Sequence, residues 1–313
     1  MSVTVSSQSP ALPWLLLAGL ITLTLHVAPL HAAGVELPPL VDPPTREHHP
    51  GKVIWADLVT PDVEAAKTFY GGLFGWTFRD LEAGPKDYTL AMLEGEPVAG
   101  LVRRTEPPGE QHQPAWLTFL SVKDVEKARR TALAHGARQL TEPRNYPRRG
   151  RQVVLADPQG AVFAILQSAS GDSPDVLANP GEWIWSALIT PDPDTDAAFY
   201  QVLFDYEVFD SEDDQGSEHL VLSTDGYARA SCNSFPHDSA KRYPHWLNFV
   251  RVANVAETTA KARQLGGRVL VEPHAGREGE PVAVVADPAG ARIGLLEWAD
   301  TQGQDENRPG APK

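Results

Sequence analysis

Apolar residues recur along this chain with two periods, about two in short runs and three to four in longer ones, and the switch between them marks the elements. Val53 to Val59 is β-branched and aromatic and reads as a strand. Thr60-Pro61-Asp62 opens a helix with proline at an early position. Ala66, Phe69, Tyr70 and Leu73 then share one helical face, which packs on a sheet, and Gly75 ends the helix. Trp76 to Asp80, Tyr88 to Leu93 and Val98 to Val102 follow as short strands broken by Gly, Pro and Asp. The same order restarts at Trp116 to Leu120. A second helix begins at Asp124-Val125-Glu126 and runs to Gly136, and strands are expected at Gln139 to Thr141, Gln152 to Ala156 and Ala161 to Gln167. Asp157-Pro158-Gln159-Gly160 between the last two suits a β-turn.

This whole βαβββ-βαβββ pattern then repeats at an offset of 130 residues. Trp55 recurs as Trp185, Thr60-Pro61-Asp62 as Thr190-Pro191-Asp192, and Phe69-Tyr70 as Phe199-Tyr200. Trp116-Leu117 recurs as Trp246-Leu247, and Ala156-Asp157-Pro158 as Ala286-Asp287-Pro288. So many matches at one spacing mean a tandem duplication, which fixes the architecture before any propensity argument. The expected organisation is a first domain at 52–168 and a second at 182–299, joined by a linker at 169–181. A Pro-rich linker at 34–51 precedes them and a disordered tail at 300–313 follows. His48-His49, in the Pro-rich stretch, reads as a solvated pair in a tether.

Residues 1–33 carry no charged side chain, and Ala11 to Val27 is an apolar run ending near His31-Ala32-Ala33-Gly34. That pattern predicts an export signal, with a periplasmic or extracellular product; the alternative is a membrane anchor at 11–27, a run slightly below the roughly 18 residues of a spanning helix. Cys232 is the one cysteine, so no intrachain disulfide forms, and it reads as a buried small hydrophobe. A formal charge of -14 argues against nucleic acid as a partner. A homodimer is left open.

Three runs carry a resemblance: WADLVTPDVEAAKTFYGGLFGW, WLTFLSVKDVEKARRTALAHGAR and VVLADPQGAVFAIL, each echoed in the second copy. Over residues 52–299 the chain resembles the vicinal oxygen chelate superfamily, the glyoxalase, bleomycin-resistance and extradiol-dioxygenase fold. The resemblance implies an α+β protein of tandem domains, each a pair of βαβββ modules forming a curved, mostly antiparallel sheet cup. It also implies a divalent metal at the cup floor, held by His or Gln seven residues before each helix-starting Asp and by Glu seven after the turn Asp. Here those positions hold Trp55, Leu117 and Ala164 in copy one and Trp185, Leu247 and Gly294 in copy two. None is a metal donor. Glu297 lies too far along its strand and, by the strand period, on the opposite face from Gly294. No metal and no cofactor are therefore expected.

The same positions mark which residues look into each cup. Copy one offers Trp55, Asp57, Leu117, Phe119 and Ala164, an apolar aromatic surface with one carboxylate. Asp57 is the candidate general base, against the blander reading of a rim carboxylate bonded to backbone. Copy two has Ala187 in its place and offers Trp185, Leu247 and Phe249, with His245 near the mouth. The basic cluster Arg144 to Arg151 reads as a solvated loop. Together these features predict a protein that binds a small, partly apolar organic molecule without a metal. The alternatives are a lyase or isomerase, cofactor-free through Asp57 or with an unrecognised metal site, and a module whose cups are filled by its own side chains.

Overall fold

A computed structural model describes residues 36–81, 88–104, 113–210, 219–235, 243–277 and 279–299. The apolar run at 11–27, with the export signal or anchor expected there, and the tail at 300–313 lie outside them. Among the described residues no helix is long and apolar enough to cross a membrane.

Copy one runs β1 (Val53–Thr60), α1 (Val63–Phe74), β2 (Thr77–Asp80), β3 (Tyr88–Leu93), β4 (Glu96–Arg103), β5 (Ala115–Ser121), α2 (Val125–Ala134), β6 (Arg138–Gln139), β7 (Arg144–Tyr146), β8 (Gly150–Ala156) and β9 (Val162–Ser168). Copy two repeats the plan as β10 (Trp183–Thr190), α3 (Pro193–Phe204), β11 (Glu207–Asp210), β12 (His219–Thr224), β13 (Tyr227–Ser234), β14 (His245–Val252), α4 (Val255–Gln264), β15 (Arg268–Ala275), β16 (Pro281–Ala286) and β17 (Arg292–Glu297). All four helices start alike. Asp62, Asp124, Asp192 and Asn254 each accept a hydrogen bond from the backbone N–H three residues on, satisfying an amide that the helix leaves unpaired.

Each copy forms one continuous sheet, ordered β2-β3-β4-β1-β5-β9-β8-β6 with β7 on β8 in the first and β11-β12-β13-β10-β14-β17-β16-β15 in the second. The first strand of every module lies parallel to its last, β1 on β4 and β5 on β9, because the helix crosses over between them. The two modules join antiparallel through β1 and β5. Both cups are thus α+β and built within one copy.

The helix-bearing faces pack against the other copy, crosswise. Phe69, Tyr70 and Leu73 of α1 share a core with Val285, Ile293 and Leu295 of copy two. Phe199, Tyr200 and Phe204 of α3 share another with Val153, Phe163 and Ile165 of copy one. Tyr70 donates to Asp287 Oδ2 at 3.2 Å and accepts from Trp116 Nε1 at 3.1 Å. Tyr200 mirrors it, donating to Asp157 Oδ2 at 3.0 Å and accepting from Trp246 Nε1 at 3.1 Å. The other oxygen of Asp157 holds its turn closed through the N–H groups of Gln159, Gly160 and Ala161. Burial, reinforced by the facing carboxylate, raises both phenols well above the usual tyrosine range. Much of the 130-residue repeat is therefore the mortar between copies.

Cys232 is fully buried, and burial pushes its thiol far above the ordinary range. Residues 36–51 form no helix or strand, but they are not the solvated tether expected from their composition. Ser170 Oγ accepts from Leu40 N and Val41 N, Thr45 Oγ1 donates to Asp172 O, and Asp172 Oδ2 accepts from His49 N at 2.7 Å. His48 and His49 are half-buried beside this anchorage. Side chains more than a hundred residues away satisfy the backbone of this segment, Ser170 and Asp172 just past β9 and Thr224 and Tyr206 of copy two, so it is strapped along the folded chain.

Candidate functional site

In copy one the strand register sets Trp55 opposite Phe119 and Phe119 beside Ala164, whereas Leu117, expected on the floor with Trp55 and Ala164, lies opposite Asp57. Tyr88, Leu90 and Leu166 complete that face, with Leu117 half-buried at its edge. The cup is occupied by the chain itself. Leu37, 5% exposed, packs into this cluster, and Trp55, Phe119 and Ala164 are left at 4%, 1% and 0%. Arg149 closes the plug: its guanidinium lies 4.0 Å from the centre of the Trp55 ring, and its Nε donates to Pro38 O at 2.8 Å. The basic cluster is thus only in part the solvated loop expected, since Arg144 and Arg148 are exposed and Arg149 is not. Its first residues form β7 on β8, and Arg149 is 1% exposed inside the cup.

Asp57 sits in this sealed space. Its Oδ1 accepts from Trp55 Nε1 and from Tyr88 OH, both at 2.7 Å, rather than from the backbone expected of a rim carboxylate. Gly100 makes the approach feasible, since a Cβ there would overlap both Asp57 Oδ1 and Tyr88 OH. Burial raises the Asp57 pKa above the usual carboxylate value, opposed by the Tyr88 hydrogen bond, the Arg149 charge and the Trp55 hydrogen bond. Such a carboxylate could take a proton, but Leu37 and Arg149 fill the space a substrate would need.

Copy two has the same scaffold and different contents. Trp185 lies opposite Phe249, and Phe249 beside Gly294. A Cβ at Gly294 would overlap the Phe249 ring, so the glycine lets that ring lie against the floor. Leu247 is buried, whereas Trp185, His219, Val221 and Phe249 are all half-buried. Their counterparts by strand register, Trp55, Tyr88, Leu90 and Phe119, are buried. Polar groups are also exchanged: Ala187 and Ser231 replace Asp57 and Gly100, and Trp185 Nε1 donates to Ser231 Oγ at 3.2 Å. His219 Nδ1 lies 2.6 Å from Asn233 Oδ1.

His245 begins β14 on the face of Leu247 and Phe249. Its Nδ1 donates to Tyr243 O at 2.8 Å, and its Nε2 faces Arg292 Nη1 at 3.5 Å. Burial lowers its pKa and the Arg292 charge lowers it further, against the Tyr243 hydrogen bond, so the ring is neutral at pH 7. Arg292 is a neighbour that sequence spacing gave no reason to pair with His245.

The residues at the six family ligand positions do not fit a metal. Indole, isobutyl, methyl and hydrogen offer no donor. Glu297 is turned to the other face, where its Oε2 accepts from Val255 N at the start of α4. Among the described residues no three His, Cys, Asp or Glu side chains converge on one point.

Comparison with known proteins agrees with this geometry. The model of the Glyoxalase/Bleomycin resistance protein/Dioxygenase superfamily matches residues 52–165, and that of the Glyoxalase-like domain matches 185–296. The chain is 31% identical over 264 residues to CFP32 of Mycobacterium tuberculosis (strain CDC 1551 / Oshkosh), a protein named as a glyoxylase, covering 83% of this chain and 100% of that one. It is 31% identical over 260 residues to the anthracycline biosynthesis protein DauV of Streptomyces sp. (strain C5), covering 79% and 94%. Among solved structures, the Mn(II)-bound glyoxalase from Novosphingobium aromaticivorans shares the fold, with a TM-score of 0.55 at 14% identity over 80% of this chain and 83% of that one.

Proposed function

The chain belongs to the Glyoxalase/Bleomycin resistance protein/Dioxygenase superfamily, and from that premise we propose that it is an exported protein whose second cup binds a small, partly apolar organic molecule without a metal. The carrying observation is the contrast between two equivalent tryptophans, Trp55 sealed at 4% exposure under Leu37 and Arg149, and Trp185 half-buried beside Phe249. A half-buried indole next to a phenyl ring, with Ser231 and Asn233 near one end and His245 near the other, suits a flat molecule held by stacking and a few polar contacts. A relative named for anthracycline biosynthesis is in keeping with a flat organic ligand.

Soaking crystals with planar aromatic fragments tests the reading. Density against Trp185 and Phe249 is expected; density confined to the first cup, or none in either, overturns it. Elemental analysis of protein purified without added metal tests the second part, because near-stoichiometric zinc, nickel, iron or manganese would contradict it.

A second reading, cofactor-free proton abstraction by Asp57, is favoured by that carboxylate's raised pKa alone. It requires Leu37 to leave the cup. Turnover that survives Asp57→Ala would eliminate it.

A further inference from the structure

The open cup carries a cation at its lip that the sealed cup lacks. Strands β14 and β17 run parallel with Phe249 beside Gly294. Two residues earlier on each strand therefore bring Leu247 and Arg292 together on the cup face, with His245 beyond them. The corresponding residues of copy one are Val162 for Arg292 and Ala115 for His245, neither of which is polar. Arg268 lies two strands away on the same row, and copy one has Arg138 at that place, so Arg292 is the cation peculiar to the open cup.

The hydrogen bonds fix how Arg292 is presented. His245 spends its one N–H on Tyr243 O and turns a lone pair on Nε2 toward Arg292 Nη1. That contact uses one donor of the guanidinium and leaves the others for a ligand. Arg129, Arg151, Arg229 and Arg263 each meet a carboxylate, whereas Arg292 has no acidic partner among the described residues. A cation steadied by a neutral histidine, in a protein of formal charge -14, is a local reversal of sign beside an aromatic surface.

We infer that the ligand of the second cup is an aromatic carboxylate, with its ring system against Trp185 and Phe249 and its carboxylate gripped by Arg292. The claim rests on the reading of this cup as the binding site. A single planar guanidinium matches a carboxylate in bidentate fashion, whereas a phosphate dianion asks for more donors than this lip shows. The spacing sets the size. Two residues along a strand are about 7 Å, so the carboxylate projects roughly one ring beyond the stacked ring.

The test is a calorimetric titration of the full chain at pH 7 with 2-naphthoate and with its neutral isostere, 2-naphthamide. Naphthoate is expected to bind about tenfold or more tightly than the amide, the usual scale for a hydrogen bond to a charged group. Arg292→Met should abolish that preference by lowering naphthoate affinity about tenfold or more, with the melting temperature unchanged, because Arg292 is exposed. Trp185→Ala should weaken both probes. Equal affinities, or a preference that survives Arg292→Met, overturn the carboxylate assignment and leave the cup standing as a site. Failure of both probes to bind, or binding indifferent to Trp185→Ala, overturns the cup reading and this inference with it.

Discussion

Trp55 and Trp185 stand at the same place in the two sheets, each opposite a phenylalanine, and differ in what lies above them. Over Trp55 lie Arg149 and a leucine drawn from the segment before the first strand; Trp185 is half-buried. The duplication kept the frame and released the contents. One cup has become part of the core, with a buried carboxylate bonded to a phenol and an indole and a guanidinium lying over that indole. The other has Ala187 in place of the carboxylate, Gly294 on its floor and Arg292 at its lip.

The sharpest way to break this comparison is to truncate both tryptophans. Trp55→Ala should cost about 3–5 kcal/mol of unfolding free energy in a urea titration, as for a large side chain removed from a packed core. Trp185→Ala should cost far less and act on ligand affinity instead. Equal losses of stability would mean that both cups are core.

Leu37→Ala tests the plug itself. It should destabilise by about 2–3 kcal/mol and make Trp55 fluorescence accessible to acrylamide. Unchanged stability and quenching would mean that residues 36–51 merely rest on the cup.

Asp196 sharpens the comparison on the interface side. It is fully buried, its Oδ2 accepts from Thr190 Oγ1, its Oδ1 meets no hydrogen-bond donor among the described residues, and copy one has Ala66 there. Burial, helped by the nearby Asp157 charge, raises its pKa from 3.8 to about 6. A folded-state pKa above the unfolded one means the folded form binds the proton more tightly, so stability falls as pH rises from about 4 to about 6 and stays low above. Asp196→Ala should therefore add about 2 kcal/mol above pH 6, a gain that shrinks on acidification and vanishes below about pH 4. Paired melts at pH 4 and pH 7 check it, and a gain of equal size at both would contradict the assignment.

Tyr200→Phe is the smallest of the four perturbations. It removes the donor to Asp157 Oδ2 and should cost about 1–2 kcal/mol, with Tyr70→Phe doing the same at Asp287. A loss in one copy alone would show that the crosswise bonds are unequal.

The module order and the helix starts were legible in the sequence, because each rests on local periodicity and on a spacing that occurs twice; that Phe119 and Phe249, not Leu117 and Leu247, lie opposite the tryptophans is set by strand register, which spacing does not give. Glu297 was placed on the outer face by strand alternation alone, and its bond to Val255 N agrees. The plug was hidden. Residues 36–51 have no periodicity, and their partners Arg149, Ser170 and Asp172 lie more than a hundred residues away. Arg149 was lost in a run of like charges for the same reason, since composition cannot say which member of a basic cluster turns inward. The Tyr88 bond to Asp57 and the Arg292 contact to His245 likewise join strands that local spacing does not relate.

The exchange of Tyr70 and Tyr200 onto each other's turns gives each half a greasy back that only the other half covers. A protease cut in the exposed stretch around Ser173 and Pro174 should not free two domains. The severed pieces should stay clasped and migrate as one particle in native gel filtration, so the peptide bond between the copies is a tether for assembly and not what holds them together.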